Sequence, residues 1–295
     1  MRISVNSGLY SARPDNKPRY DMLEAIDFFH EIGFEAVDVN LCATIYGDPN
    51  TVGKTRNRVR EFILDGDWRA NISAVKERAE KYGLPTELSH LPYFKYSGKD
   101  TPDLDYNMSM SYRCLDANVI LGTKWTVAHF MVDMDDALEY LRPICKYATE
   151  RNVGIAVENT PKVSIEALCR AVDILSSEGY NVGICLDVGH VNYAGLVPSD
   201  VVRMMGSRIK MLHIHDNYGD RDAHQPPFAG NINWEDFMTS LADTGYCGDL
   251  NFEINTANVP EVCRKEHARY VLSLGKYLVS IYEARKAELL SENKQ

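Results

Sequence analysis

The stretch GICLDVGHVNYAG, residues 183–195, decides how this chain reads. Its apolar run stops at Asp187, and His190 follows three residues later. A buried strand that ends by lifting a carboxylate and then an imidazole above itself serves a site rather than a core. Other apolar runs end in the same manner: TELSH at His90, WTVAH at His129, GIAVE at Glu158 and LNFE at Glu253, while IKMLHIHD brings His213 and His215. One such ending is noise. Repeated along one chain, they describe ligands gathered at one end of one sheet.

Working outward, short β-rich runs alternate with longer stretches of helical periodicity, the pattern of repeated βα units on a parallel sheet. Strands are expected at 3–5, 36–39, up to His90, and at 125–129, 154–158, 182–187, 209–215 and 250–254. Helices are expected between them, among them 19–32, where Met22, Leu23, Ile26 and Phe29 recur at helical spacing before Gly33, then 67–82 and finally 260–287. Eight such units in 295 residues fit a single-domain (β/α)8 barrel, an α/β TIM barrel, over residues 1–290 with a frayed tail over 291–295. An open doubly wound sheet usually shows a Gly-rich phosphate fingerprint after its first strand, and here Gly8 stands alone. In barrels of this kind the site lies at the carboxyl ends of the strands, where the polar endings fall.

Side chains of a barrel strand alternate between the interior and the helix layer. Cys185 and Asp187 therefore share a face opposite Ile184 and Leu186, and Gly154 and Ala156 share the face of Glu158, their small size leaving room above the core. Glu253 lies opposite Phe252 and Ile254. His213 and His215 both point inward, while Asp216 takes the other side.

Hydrophobic residues at 45% and charged residues at 25% describe an ordinary globular chain and exclude disordered and collagen-like classes. A net charge of −10 disfavours a nucleic-acid partner and favours a small-molecule substrate. Seven dispersed cysteines with no Cys-x-x-Cys pair indicate free thiols in a reducing cytosol rather than disulfides or a zinc knuckle. MRISVNSG enters a strand at once, so no signal peptide is expected, and no apolar run approaches the ~20 residues of a membrane span. The expectation is a cytoplasmic protein without a membrane partner.

Glu158, Asp187, His213 and Glu253 are the strongest candidate set. Three carboxylates that close repel one another unless a divalent cation sits between them, and mixed oxygen and nitrogen ligands suit manganese, cobalt, iron or zinc better than calcium. Singly, each has a bland alternative as a buried carboxylate paired with a Lys or Arg; as a set, that alternative loses ground. His90, His129, His190, Asp222 and His224 are further candidates for a second metal or for substrate. Candidate substrate contacts are His215 and, in the long connection 41–65, Lys54 and Arg56, whose basic run continues through Arg58 and Arg60. Such a run could bind a phosphate, although charges in a long loop are usually just solvated. His30 and His267 fall within helices without partner motifs and read as structural.

With these residues the chain resembles the xylose isomerase-like superfamily of barrels, which holds sugar isomerases and epimerases, inosose dehydratases and the endonuclease IV type of apurinic-site nuclease. The likeness runs over essentially the full length and is carried by LDVGH (186–190), VEN (157–159) and, between 213 and 234, HIHDNYGDRDAH and FAGNINW. Pro227-Phe228-Ala229-Gly230 lacks the first glycine of the Pro-Gly-x-Gly that similar members carry. The isomerase branch implies a divalent metal on Glu158, Asp187, His213 and Glu253, with Glu158 and Glu253 as the acid/base pair and His190 next to the substrate. It implies a sugar or sugar phosphate isomerase or epimerase that moves a proton beside a carbonyl through a metal-stabilised enediolate. The nuclease branch implies three zinc ions, and His90, His129, Glu158, Asp187, His190, His213, Asp222, His224 and Glu253 match its ligands in chain order; the acidic charge weighs against it. A dehydratase or lyase acting on a keto sugar or keto-inositol would use the same metal and the same proton abstraction. The expected partner is a small carbohydrate, with self-association into a homo-oligomer left open.

Overall fold

The apolar runs fold as eight parallel strands: β1 (Ile3–Asn6), β2 (Ala36–Asn40), β3 (Leu88–His90), β4 (Trp125–His129), β5 (Gly154–Glu158), β6 (Val182–Asp187), β7 (Ile209–His213) and β8 (Leu250–Phe252). The computed structural model describes residues 1–11, 22–42, 64, 66–94, 96–130, 133–256 and 259–292. The strands lie in the order β7-β6-β5-β4-β3-β2-β1-β8, and the two ends meet where Ile214 bridges Phe252. There the Ile214 N–H donates to Asn251 O at 2.9 Å and the Glu253 N–H to Ile214 O at 3.2 Å. Closure leaves no free sheet edge among the described residues, and the fold is the TIM barrel that the alternating units predict.

The helices are α1 (Gly8–Ser11), α2 (Met22–Ile32), α3 (Trp68–Lys81), α4 (Leu104–Leu121), α5 (Met134–Thr149), α6 (Ile165–Ser177), α7 (Val188–Tyr193), α8 (Pro198–Met205), α9 (Trp234–Asp243) and α10 (Arg264–Glu292). Several start where the chain supplies a side-chain cap: Asp67, Asp133, Ser164 and Asn233 each accept a first-turn N–H. Among the described residues, no helix is long and apolar enough to cross a membrane.

Boundaries differ from expectation at few places. β7 ends as a ladder strand at His213 and β8 at Phe252, because beyond them the two are joined through the Ile214 bridge, after which Asp216 pairs back with Gln225 as the chain turns into the site. Two helices, α7 and α8, follow β6 where one was expected, and α10 starts after a short turn at Glu261–Cys263 and runs on through Glu292. Of the 41–65 connection only residues 41, 42 and 64 are described.

Two kinds of surface share the barrel interior. On β3 to β7, Leu88, Val127, Ala156, Cys185 and Met211 pack together with Trp125 against them. Gly154 makes room for that indole, since a Cβ there would stand 2.4 Å from the Trp125 ring. On β8, β1 and β2 the interior is polar instead, with Ser4, Asn6, Asp38 and Asn251 all buried and joined by hydrogen bonds. At the amino-terminal end, Arg2 ties Glu87 at 2.6 Å to Asp249 at 2.8 Å, and Lys124 reaches Glu87 at 2.6 Å.

α10 comes close to the β8–β1 pair. A Cβ on Gly275 would lie 2.8 Å from Phe252 Cε2 and 3.0 Å from Ile3 Cγ2. Gly275→Val is therefore expected to overpack this contact and cost about 1–3 kcal/mol, measured as a lower urea midpoint; an unchanged midpoint would mean that α10 is not seated this tightly.

Candidate metal centre

At the carboxyl ends of the strands the inward faces present His90, His129, Glu158, Asp187 and His213, joined by Glu253 one residue beyond β8. His213 is the hub and is wholly buried. Its Nδ1 lies 2.6 Å from Glu158 Oε1, 3.1 Å from Glu253 Oε2 and 3.8 Å from Asp187 Oδ2. One ligand atom from each of these four residues falls within 4.8 Å of all the others, so the set named from the sequence shares one spot.

Further candidates flank it on both sides. His129 Nε2 is 3.0 Å from Glu158 Oε2, and His90 Nε2 is 3.9 Å from the same oxygen. His215 is fully buried, with Nε2 3.0 Å from Asp187 and its ring stacked on His224 at 4.0 Å. Asp222 joins His190 Nε2 at 3.3 Å to His224 Nε2 at 3.2 Å. His90, Glu158 and His213 make a second grouping with ligand spacing, and His215, His224 and Glu253 a third. Lys54, Arg56, Arg58 and Arg60 lie outside the described residues.

Local chemistry explains why the chain holds this shape. Asp187 caps α7, its Oδ1 accepting the His190 N–H at 2.6 Å, which fixes His190 beside it. Asn159 clamps the same strand end: its Nδ2 donates to Asp187 O at 2.9 Å, and its Oδ1 accepts the Asp187 N–H at 2.8 Å. A Cβ at position 189 would stand 1.9 Å from the His215 ring, so Gly189 is what lets α7 approach that imidazole. Asp216, on the opposite face from His215, organises the loop that carries Asp222 and His224. Its Oδ1 accepts the Asn217 N–H at 2.8 Å, and its Oδ2 accepts the Phe228 N–H at 2.9 Å and Trp234 Nε1–H at 2.8 Å. Phe228 sits at φ 68°, the left-handed conformation that glycine takes most easily. The missing glycine thus leaves that turn in place and adds a ring packed 5.8 Å from Tyr277 and 6.5 Å from Trp234. Spacing alone singled out neither Asn159 nor Asp216; only the off-face parity of Asp216 hinted at a separate duty.

Electrostatics bind the cluster together. Burial works against charge at Glu158, yet His213 and His129 hold its carboxyl well below the usual range. Glu253 is lowered against the same burial by His213 and His224, and Asp222 by His190 and His224. In turn, burial would lower His213, but Cys185, Glu253 and Glu158 raise it well above the ordinary imidazole value. Also against burial, His190 is pushed up to about 11 by Asp187 and Asp222, and His224 to about 9 by Asp222 and Glu253. His90, buried and facing His129, is pushed down. In the protein alone, imidazolium charge thus balances the carboxylates. A divalent cation would balance them equally well. The donors are the oxygen and nitrogen atoms it prefers, and His129 Nδ1, His213 Nε2, His215 Nδ1 and Asp38 Oδ1 are buried here without a hydrogen-bond partner.

The model of the xylose isomerase-like TIM barrel family matches residues 26–274. Among curated relatives, the uncharacterized protein y4fM of Sinorhizobium fredii is 37% identical over 109 residues, 36% of this chain and 35% of that protein. The 3-oxo-isoapionate decarboxylase of Pectobacterium atrosepticum is 29% identical over 147 residues, 50% of each. The chain thus spans half or less of the length of the curated relatives it matches. Among solved structures, D-psicose 3-epimerase with D-tagatose from Clostridium cellulolyticum H10 has a TM-score of 0.72 at 16% identity, covering 94% of this chain and 99% of that one, a likeness of fold alone.

Because His213 carries a proton at Nδ1 among these carboxylates, a cation taken up there must displace it. Titration with Mn2+ is expected to release protons, with an affinity that falls as pH is lowered because protons then compete for the ligands. Calorimetry in two buffers of different ionisation enthalpy measures both. A pH-independent affinity across about pH 6 to 8, the range in which free imidazole titrates, would remove His213 from the ligand set.

Proposed function

The chain belongs to the xylose isomerase-like TIM barrel family, and from that premise we propose that it is a divalent-metal-dependent enzyme that isomerises or epimerises a small carbohydrate by proton transfer beside a carbonyl. The observation that carries this reading is the convergence of Glu158, Asp187, His213 and Glu253 within 4.8 Å. Bound by these four, a divalent cation would polarise a substrate carbonyl and stabilise the negative charge that develops on its oxygen.

The chain's own groups account for the proton. Glu158 and Glu253 approach His213 Nδ1 from different strands, through Oε1 at 2.6 Å and Oε2 at 3.1 Å. Both are held ionised, so either can take a proton from one face of a carbon, and the other returns one to the opposite face once it has picked up a proton from solvent or from a substrate hydroxyl. His129 steadies the second oxygen of Glu158 at 3.0 Å. His190, an imidazolium whose Nδ1–H donates to Asn159 O at 2.9 Å and whose Nε2–H faces Asp222 at 3.3 Å, puts positive charge beside a substrate oxygen.

The decarboxylase relative favours a second reading, a lyase acting on a keto sugar acid or keto-inositol. Loss of carbon dioxide or of a β-hydroxyl uses the same stabilisation of charge beside a carbonyl and differs in what leaves. The two further groupings, His90 with Glu158 and His213 and His215 with His224 and Glu253, favour more than one cation per chain, as hydrolysis of a phosphodiester would need. The net charge of −10 opposes a nucleic-acid substrate.

Incubation of the Mn2+-loaded protein with a panel of ketoses in D2O is expected to place deuterium on the carbon next to the carbonyl and to yield an epimer or isomer. Release of water from a ketose, or of carbon dioxide from keto sugar acids tested beside the ketoses, with no epimer or isomer formed, would establish the lyase reading instead. Glu158→Gln should keep the fold and lose about 10²–10⁴-fold in turnover; activity at the wild-type level with metal content verified would sink its role as the base.

A further inference from the structure

One buried carboxylate near the centre takes no part in the proposed chemistry. Asp38, in β2, is completely inaccessible. Its Oδ2 accepts Asn6 Nδ2–H at 3.0 Å from β1 and Asn251 Nδ2–H at 2.9 Å from β8. Those amides are anchored in turn. Ser4 Oγ–H donates to Asn251 Oδ1 at 3.0 Å, while Asn40 Nδ2–H and the Gly8 N–H donate to Asn6 Oδ1 at 3.1 and 2.8 Å. Asp38 Oδ1 is left without a partner. Asp38 Oδ2 stands 3.8 Å from His213 Nε2, an atom that is also buried and also unpartnered.

We propose that Asp38 is a positioning residue for the metal centre, accepting the Nε2 proton of His213 and so keeping His213 Nδ1 free to bind a cation. This rests on the metal reading of the site. A neutral imidazole has one proton for two nitrogens. With Nδ1 facing Glu158, Asp187 and Glu253, His213 can act as a ligand only in the form protonated at Nε2. In a dry interior an Nε2–H with no acceptor is costly, and the proton gains by moving to Nδ1, where it bars the cation. A carboxylate behind the ring removes that choice and makes the ligating nitrogen more basic. The observed separation exceeds a hydrogen bond by about 1 Å, so the two groups must draw together by that much in the metal-loaded protein. Asp38 is no substitute ligand, because two amides hold it back from the cluster and it belongs to none of the close groupings among the described residues.

The test is Mn2+ titration of the wild type and Asp38→Asn, with 15N NMR of histidine-labelled, Zn2+-loaded wild type to locate the His213 proton and thermal unfolding of both chains. Expected are Mn2+ binding weakened about 10–100-fold in the variant and a wild-type His213 protonated at Nε2. Equal Mn2+ affinity in a folded variant overturns the role of Asp38 while leaving the metal site standing, whereas a His213 protonated at Nδ1 in the Zn2+-loaded wild type overturns that role and removes His213 from the ligands. No Mn2+ binding by the wild type overturns both. Should Asp38→Asn fail to fold, the 1H and 15N shifts of the wild-type His213 Nε2–H decide: a strongly hydrogen-bonded proton supports a carboxylate acceptor, and a proton without a hydrogen bond overturns it.

Discussion

The upper half of the barrel depends on how charge is balanced around His213. Glu158, Asp187 and Glu253 could not lie so close together, largely out of water, without positive charge among them, and removing one partner of a buried pair costs about 3–5 kcal/mol. His213 answers the carboxylates directly, His129 answers Glu158, and His224 answers Glu253 and Asp222. Two states satisfy the same constraint: imidazolium at the hub, or a divalent cation in exchange for a proton. Asp187 and Glu158 are also held by groups outside the four, Asp187 by the His190 N–H and His215 and Glu158 by His129, so these walls can stay in place in either state.

That balance shapes the surrounding layers. Apolar residues fill the interior beneath β3 to β7, whereas the β8–β1–β2 side carries an amide and carboxylate network. A buried polar network is tolerable when its members are satisfied, and here the atoms left over, Asp38 Oδ1 and His213 Nε2, belong to the two residues that link the network to the hub. Outside the barrel, Asp216 repeats the device on the opposite face of the chain. By gathering backbone and indole donors it fixes a long loop so that Asp222 and His224 arrive at defined places.

Much of this was legible in the sequence because the physics is local. A short apolar run that closes on an acid or a histidine marks both a strand and its carboxyl end, and alternation then tells which side chains share the interior. Glu158, Asp187, His213 and Glu253 follow from those two rules, and so does the separate face of Asp216. Asp38 was not legible, since in AVDVN it resembles any polar residue in a strand. Its meaning comes from Asn6, 32 residues before it, and Asn251, 213 residues after it. Asn159 stood in the VEN stretch, but its part as a clamp was hidden for the same reason, its partner Asp187 lying 28 residues ahead. The conformation of Phe228 runs against propensity, because only the donors and rings around it make a left-handed phenylalanine worthwhile.

Barrel closure and the site coincide. β7 and β8 are joined by the bridge between Ile214 and Phe252, the most sparsely paired junction of the sheet, and His213, His215 and Glu253 stand immediately beside the residues that make it. A long ladder there would demand regular strands through positions 214 to 216 and 253 to 255. That would hold His215, Glu253 and the following loop in line with the sheet instead of letting Glu253 lean to 3.1 Å from His213 and its carbonyl accept His224 Nδ1–H at 2.9 Å. The sparse seam is therefore a condition of the site. Side-chain interactions across it replace the ladder, and a cation held by Glu158, Asp187, His213 and Glu253 would tie β5, β6 and β7 to the end of β8, strengthening the barrel where its backbone pairing is thinnest.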